Sequence, residues 1–298
     1  MSEVRVRATL SDEEIEKVVR LVVSAAEHDG VGPLSERSLL WLRGGGGGDA
    51  RGLLRLDDAG GLVGYAHLDL ATAEETAAGE FVVDPHSRRR GHGLALLNGM
   101  CQEVDGPLRV WAHGDLPAAT ALAESQGLDR VRALFQMRRS ADDPLPEFTV
   151  ADGVRLRTFE VGQDEEAWLQ VNRRAFADHP EQGAWTLDDV RLREREPWFD
   201  PEGLFLAESE RDGKLLGFHW TKIHPDGLGE VYVVGVDPGA QGLGLGRTLT
   251  LKGLHHLRER GVPAILLYVD ESNQAAVRLY ESLGFTRYAV DVMFQSGC

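Results

Sequence analysis

At 298 residues the chain is long enough for two domains, each with its own apolar core. Its 42% hydrophobic and 27% charged content is that of a globular protein in water. A formal net charge of −16 argues against nucleic acid as a main partner, because neutralising phosphates takes basic surface; a local basic patch for a small phosphorylated ligand remains compatible with it. The start, Met1-Ser2-Glu3-Val4-Arg5, lacks the apolar core of a signal peptide, and no stretch is long enough to span a bilayer. A cytoplasmic protein with no membrane partner is expected. The two cysteines, Cys101 and Cys298, fall in different halves and read as free thiols in a reducing compartment.

In chain order, Arg5 to Thr9 reads as a short strand, and Ser11-Asp12-Glu13-Glu14 as a capping box opening a helix through Ile15, Val18, Val19, Val22 and Val23. Gly44 to Gly48 reads as a flexible loop. Leu53 to Leu56 and Leu62 to Leu70 flank Asp57-Asp58-Ala59-Gly60-Gly61, a hairpin signal. Glu80-Phe81-Val82-Val83-Asp84-Pro85 is an apolar strand stopped by a turn pair. Arg88-Arg89-Arg90-Gly91-His92-Gly93 and a Leu-rich helix follow.

The same order then recurs. Val154 to Phe159 with Gln163-Asp164-Glu165-Glu166 mirrors the first strand and helix, and Leu204 to Ser209 with Lys214 to Ile223 mirrors the hairpin. Glu230 to Val236 is a second β-branched run ending at Asp237-Pro238, followed by Gln241-Gly242-Leu243-Gly244-Leu245-Gly246-Arg247. Leu249, Leu251, Leu254 and Leu257 carry helical spacing beyond it. Strand, glycine-rich turn and helix is the arrangement that points backbone N–H groups at a phosphate. Gly-x-Gly-x-Gly alone also occurs in plain turns, and neither a Rossmann fingerprint nor a Walker loop is completed. Self-similarity on this scale means two copies of one domain, joined at Asp142-Asp143-Pro144-Leu145-Pro146-Glu147.

The end of the chain adds Ile265 to Val269, an apolar strand, and Asn273-Gln274-Ala275-Ala276-Val277-Arg278-Leu279-Tyr280, a helix closing at Gly284-Phe285. Here the sequence resembles the GCN5-related N-acetyltransferase (GNAT) superfamily. Gln241, Gly244 and Gly246 match its acetyl-CoA loop, and Asn273, Ala276, Tyr280, Gly284 and Phe285 match its later motif. The resemblance implies an α/β class with a mixed α+β sheet. It also implies two tandem GNAT acetyltransferase domains, residues 1–141 and 151–298, with acetyl-CoA as co-substrate. Val234, Gly235 and Val236 would offer N–H groups to the thioester oxygen. The segments Gln241 to Arg247 and Asn273 to Arg278 would hold the rest of the coenzyme. In the first copy the matching segments are Phe81 to Val83 and Arg88 to Gly93.

Acetyl transfer to an amine needs a base, stabilisation of an oxyanion and protonation of a leaving thiolate. By residue type alone Glu230 is an exposed strand-end glutamate and Tyr280 a packing tyrosine; the motif makes them base and acid. Aligning the copies places Ala77 opposite Glu230, Leu116 opposite Asn273 and Ala123 opposite Tyr280. The first copy therefore lacks acid and base, and is either an inactive coenzyme site or purely structural. Within the superfamily, Gly229 to Pro238, Gly253 to Leu257 and Leu266 to Val269 resemble the tandem branch that forms mycothiol. That branch acetylates the cysteinyl amine of cysteinyl-glucosaminyl-inositol. The resemblance implies acceptor contacts at Glu36, Asp178, Glu181, Lys222, Glu230 and Tyr268. It implies no metal, and the adjacent His255 and His256 point differently on a helix. A monomer is expected. The rival readings are another amine acceptor (a peptide N-terminus or an aminoglycoside) and a non-catalytic acyl-CoA sensor.

Overall fold

The computed structural model describes residues 3–72, 76–177 and 180–297, the side chains of residues 180 and 181 excepted. The chain divides into two units, Met1–Leu134 with Ala289–Cys298, and Phe135–Tyr288. The first copy contributes β1 (Val4–Arg7), α1 (Asp12–Asp29), α2 (Glu36–Arg43), β2 (Ala50–Leu56), β3 (Leu62–Asp69), β4 (Ala77–Val83), α3 (His92–Gln102), β5 (Leu108–Ala112), α4 (Pro117–Ser125) and β6 (Asp129–Ser140). The second contributes β7 (Val154–Thr158), α5 (Glu165–Ala175), α6 (Pro180–Gly183), α7 (Leu187–Glu194), β8 (Leu204–Ser209), β9 (Leu215–Ile223), β10 (Gly229–Val236), α8 (Leu245–Glu259), β11 (Ala264–Asp270), α9 (Gln274–Ser282) and β12 (Thr286–Ser296).

Each unit repeats one sheet plan. Four antiparallel strands, β1 to β4 or β7 to β10, lead to a parallel neighbour, β5 or β11, reached through a crossover helix, α3 or α8. In the first unit the next strand is β12, antiparallel to β5 over Val292↔Ala112 to Ser296↔Leu108. In the second unit the strand beyond β11 is β6. The closing strands are therefore exchanged: β6 follows the first copy in sequence yet carries residues 135–140 into the second unit, and β12 returns residues 289–296 to the first. The irregular joint around Asp142 to Glu147 is thus not where packing divides.

Local chemistry sets the elements. Ser11 caps α1 as expected: its side chain accepts from the Glu14 N–H, and the Glu14 carboxylate accepts from the Ser11 N–H at 2.9 Å. The inward stripe Val18, Leu21 and Ala25 packs with Leu54, Tyr65 and Val82, while Leu96, Leu97 and Met100 of α3 pack with Leu53, Ala66 and Val110. In the second unit Trp168 of α5 lies 4.8 Å from Phe218 and 5.5 Å from Trp220, centroid to centroid. Such aromatic pairs add about 0.5–1.5 kcal/mol each beyond the area they bury.

The segment from Gly44 to Gly48 is an ordered turn, which corrects the expectation of a flexible loop. Gly47 N–H donates to the Ala8 carbonyl at 2.8 Å, and the Trp41 indole N–H donates to the Gly47 carbonyl at 2.8 Å. A Cβ on Gly46 would lie 2.8 Å from the Ala8 oxygen, so the glycine there is what lets two backbones meet. Cys101 is disulfide-bonded, which corrects the expectation of two free thiols. Sequence distance misled here, because residues 289–298 belong to the unit that holds Cys101; Cys298 itself lies outside the described residues.

Gly253 on α8 faces the buried His219 ring of β9. The ring is held by Leu249 O at 2.8 Å from Nδ1, and burial pushes its pKa down to about 4. A Cβ at Gly253 would fall onto that imidazole. Gly253→Ala should therefore cost roughly 1–3 kcal/mol of stability, read as a lower denaturant midpoint at unchanged slope.

Candidate active site

The two glycine-rich turns have one backbone design. In the second unit Gly242 and Gly244 take φ of +89° and +72°, and Gly244 starts α8 with no side chain capping it. In the first, Arg89 and Gly91 take φ of +63° and +83°, and Gly91 starts α3 likewise uncapped. Helix N-termini left open in this way present unpaired N–H groups and a positive dipole end to an anion. Arg89 holds, at a cost of about 1 kcal/mol, the left-handed conformation that its counterpart Gly242 adopts freely.

Above each turn the parallel strands part. β10 pairs with β11 only over Gly229↔Ile265, Glu230↔Leu266 and Val231↔Leu267, although β10 runs to Val236 and β11 to Asp270. A register shift between Val231 and Val233 places a bulge at Tyr232, where the twist increases and the strand bends away. Val234, Gly235 and Val236 stay paired to β9 opposite His219, Phe218 and Gly217, which leaves their β11 side without a ladder partner. β4 and β5 part in the same way beyond Glu80↔Trp111, next to Phe81, Val82 and Val83.

Glu230 lies at the last paired residues before the gap and is only 6% exposed, so it is not the solvated strand-end glutamate its residue type suggests. His224 Nε2 lies 2.7 Å from its Oε2. Lys222, directly across from Glu230 on β9, is also buried; its ammonium lies 4.4 Å from the Trp198 ring centre and 5.0 Å from that of Tyr232. Arg193 of α7 donates to the Tyr232 hydroxyl at 2.7 Å and covers Trp185 at 3.8 Å. Lys222, His224, Glu230 and Tyr232 are thus brought together at one end of β9 and β10.

Tyr280, on the inner side of α9, is 8% exposed, and its ring meets Phe285 edge-on at 5.9 Å. Burial pushes its phenol up to about 12. The Asn273 side chain accepts from the Ala276 N–H at 3.1 Å and so caps α9, while the Gln274 N–H donates to the Ser272 carbonyl at 2.9 Å. Val277 is buried, Arg278 is exposed, and Arg247 donates to Ser282 Oγ at 3.1 Å. Tyr268 is half-exposed on β11 and its hydroxyl accepts from the Gln136 amide at 2.8 Å. Glu36 opens α2 in the first unit. Asp178 lies outside the described residues, as does the Glu181 side chain.

The first unit encloses a cavity of about 460 Å³ where β4 and β5 part, lined by Phe81, Val82, Val83, Arg88, Arg89, Gly91, His92 and Gly93 among others. Arg88 is held by Asp29 through two bonds of 2.7 and 2.6 Å, and Arg90 is exposed. Ala77 and Ala123, opposite Glu230 and Tyr280 in the alignment, are both buried methyl groups. At the cavity wall His113 binds Glu80 at 2.6 Å and Asp291 at 3.2 Å, and Ser35 Oγ donates to Glu80 at 2.7 Å. Burial opposes both charges, yet the His113 bond holds the Glu80 carboxyl well below its usual range. The two carboxylates likewise hold the imidazole well above its own. Sequence reading passed over this cluster; the signal was an acidic residue at the position filled by Val233 in the other copy. It also passed over His224. Among the described residues no group of three or more His, Cys, Asp or Glu is arranged to hold a metal, and no helix is long and apolar enough to cross a membrane.

Comparison with known proteins agrees with this geometry. The acetyltransferase (GNAT) family profile matches residues 166–285. A mycothiol acetyltransferase of Thermomonospora curvata is 67% identical over 288 residues, covering 96% of this chain and 95% of that protein. One of Thermobispora bispora is 56% identical, covering 98% of each. A tandem GNAT protein from the clavulanic acid biosynthesis pathway superposes over 100% of this chain and 98% of its own, with a TM-score of 0.74 at 20% identity. A two-copy fold with an open helix terminus and parted strands, and this degree of identity along the chain, lead to one conclusion: the chain belongs to the mycothiol acetyltransferases, tandem members of the GNAT family.

Proposed function

We propose that the second unit transfers the acetyl group of acetyl-CoA to the cysteinyl amine of cysteinyl-glucosaminyl-inositol, giving mycothiol. Glu230 is the base and Tyr280 the acid. The observation that carries this reading is the parting of β10 from β11 immediately after a buried carboxylate. The gap admits the pantetheine arm, N–H groups of Val234 to Val236 receive the thioester oxygen, and the Gln241 to Arg247 turn with the start of α8 receives the pyrophosphate. Asn273 to Arg278 flank the arm. Lys222 and Tyr268 donate to hydroxyls of the sugar, and Asp178 and Glu181 complete the acceptor contacts. The test is thiol release from acetyl-CoA by the purified chain. Cysteinyl-glucosaminyl-inositol should exceed a peptide amine or an aminoglycoside in kcat/KM, and a preference for either rival would reassign the acceptor.

The first unit is a coenzyme site without chemistry on this reading. The cavity beside Phe81 to Val83 and the uncapped start of α3 support binding, and the methyl groups of Ala77 and Ala123 support inactivity. Titration of the whole chain with acetyl-CoA should give two sites. Leu122, which lines the cavity, offers the control: Leu122→Trp should remove one site and leave turnover intact. A single site in the unmodified chain would make the first unit purely structural.

A further inference from the structure

We infer that His224 is a positioning and proton-relay residue, carrying to water the proton that each acetylation leaves on Glu230. The inference rests on the reading of Glu230 as base. An α-amine such as that of a cysteinyl group has an ordinary pKa near 7.7–8.0, so at neutral pH the acceptor arrives largely as an ammonium. The balanced reaction is then RNH3+ plus acetyl-CoA giving the amide, free CoA and one proton. A nitrogen–carbon bond forms, the carbon–sulfur bond breaks, and the nitrogen loses two protons. The thiolate keeps one of them. The other must leave the site in every turnover.

Glu230 is badly placed to release it unaided, being 6% exposed. His224 is well placed to receive it: its side chain is 29% exposed, and Nε2 lies 2.7 Å from Glu230 Oε2. The hairpin enforces this contact. Ile223 pairs with Gly229 and Lys222 with Glu230, so His224 is the diagonal neighbour of Glu230 on the same face of the sheet. The His224 backbone closes the turn, its N–H donating to Leu228 O at 2.8 Å and its carbonyl accepting from Gly227 N–H at 2.9 Å. The ring is therefore anchored at the rim, with one edge on the buried carboxylate. The carboxyl passes its proton to Nε2, and the imidazolium releases one to water. The other charged groups nearby are Lys222, directed at Trp198 and Tyr232, and Asp226, whose side chain accepts from Leu228 N–H within the turn. β11 presents apolar Leu266 opposite Glu230.

His224→Gln tests this, because glutamine can donate to Glu230 and hold it in place yet cannot accept and release a proton. The variant should lose about tenfold in kcat at neutral pH, with KM for both substrates within about twofold. Added imidazole should restore its rate in proportion to concentration, while the unmodified enzyme does not respond. His224→Asn, one carbon shorter, serves as the second variant should the first fail to fold. A folded variant with undiminished kcat and no response to imidazole overturns the relay. Glu230→Gln measured alongside separates the two failures. Full activity there removes the base itself, whereas a slow Glu230→Gln beside a fully active His224→Gln removes only the relay.

Discussion

Glu230→Gln is expected to lower kcat/KM by about 10²–10⁴, the range general-base catalysis usually supplies. The amide keeps the size of the carboxylate and its bond to His224, so the fold should survive while the proton acceptor is lost. The deficit should be largest below about pH 7.5, where most of the acceptor is an ammonium, and should narrow as pH rises and the free amine forms by itself. Initial rates of thiol release from about pH 6 to 9.5, with acetyl-CoA saturating and the acceptor well below its KM, give the measurement. A variant whose profile follows the unmodified enzyme across that range would remove Glu230 from the base role. Binding of acetyl-CoA, titrated directly, should change little, since the proposed site holds the coenzyme by main-chain groups on β10 and α8 and not by Glu230.

Tyr280→Phe is expected to slow kcat by about 10²-fold with KM for acetyl-CoA nearly unchanged, the pattern of an interaction made only in the transition state. Burial pushes this phenol up to about 12, well above an ordinary thiol near 8.5. It therefore stays protonated at every working pH, as the proposed donation to the departing sulfur requires. The same shift makes it a reluctant acid, so much of the effect expected of the proposed acid is a hydrogen bond to the developing thiolate. An acyl donor whose thiol is more acidic needs that bond less, and the Phe variant should recover with it. Equal loss for both donors would argue that Tyr280 only packs against Phe285.

What could be read in advance was local or duplicated. The Ser11 capping box, the hairpins, the Asp-Pro stops and the two glycine turns all follow from residues a few positions apart, and all but the capping box recur in the second copy, where Asp164 makes no side-chain cap. What could not be read depends on pairing between distant segments. Nothing near Val231 announces that β11 leaves β10 there, because the parting is a property of two strands and a bulge. Glu230 is buried by that pairing, and by residue type alone it reads as a solvated strand end. His224 was within reach: a histidine and a glutamate on opposite arms of a hairpin whose turn carries Asp226-Gly227 are diagonal neighbours by register alone. In the Gly44 to Gly48 turn glycine content suggests mobility, whereas Gly46 is small so that Ala8 and Trp41 can close on it.

The exchange of β6 and β12 has a consequence for how the molecule comes into being. During synthesis the first copy leaves the ribosome before the second, yet its sheet lacks the strand beside β5 until residues 289–296, which lie beyond the whole second copy, arrive. Most domains complete themselves in order of emergence; here the earliest-made one finishes last. Until then it carries a bare β5 edge, an invitation to the wrong neighbour. Severing the polypeptide at its proline-rich midpoint would strand each half without its closing strand, so the ancestral duplication has become indivisible.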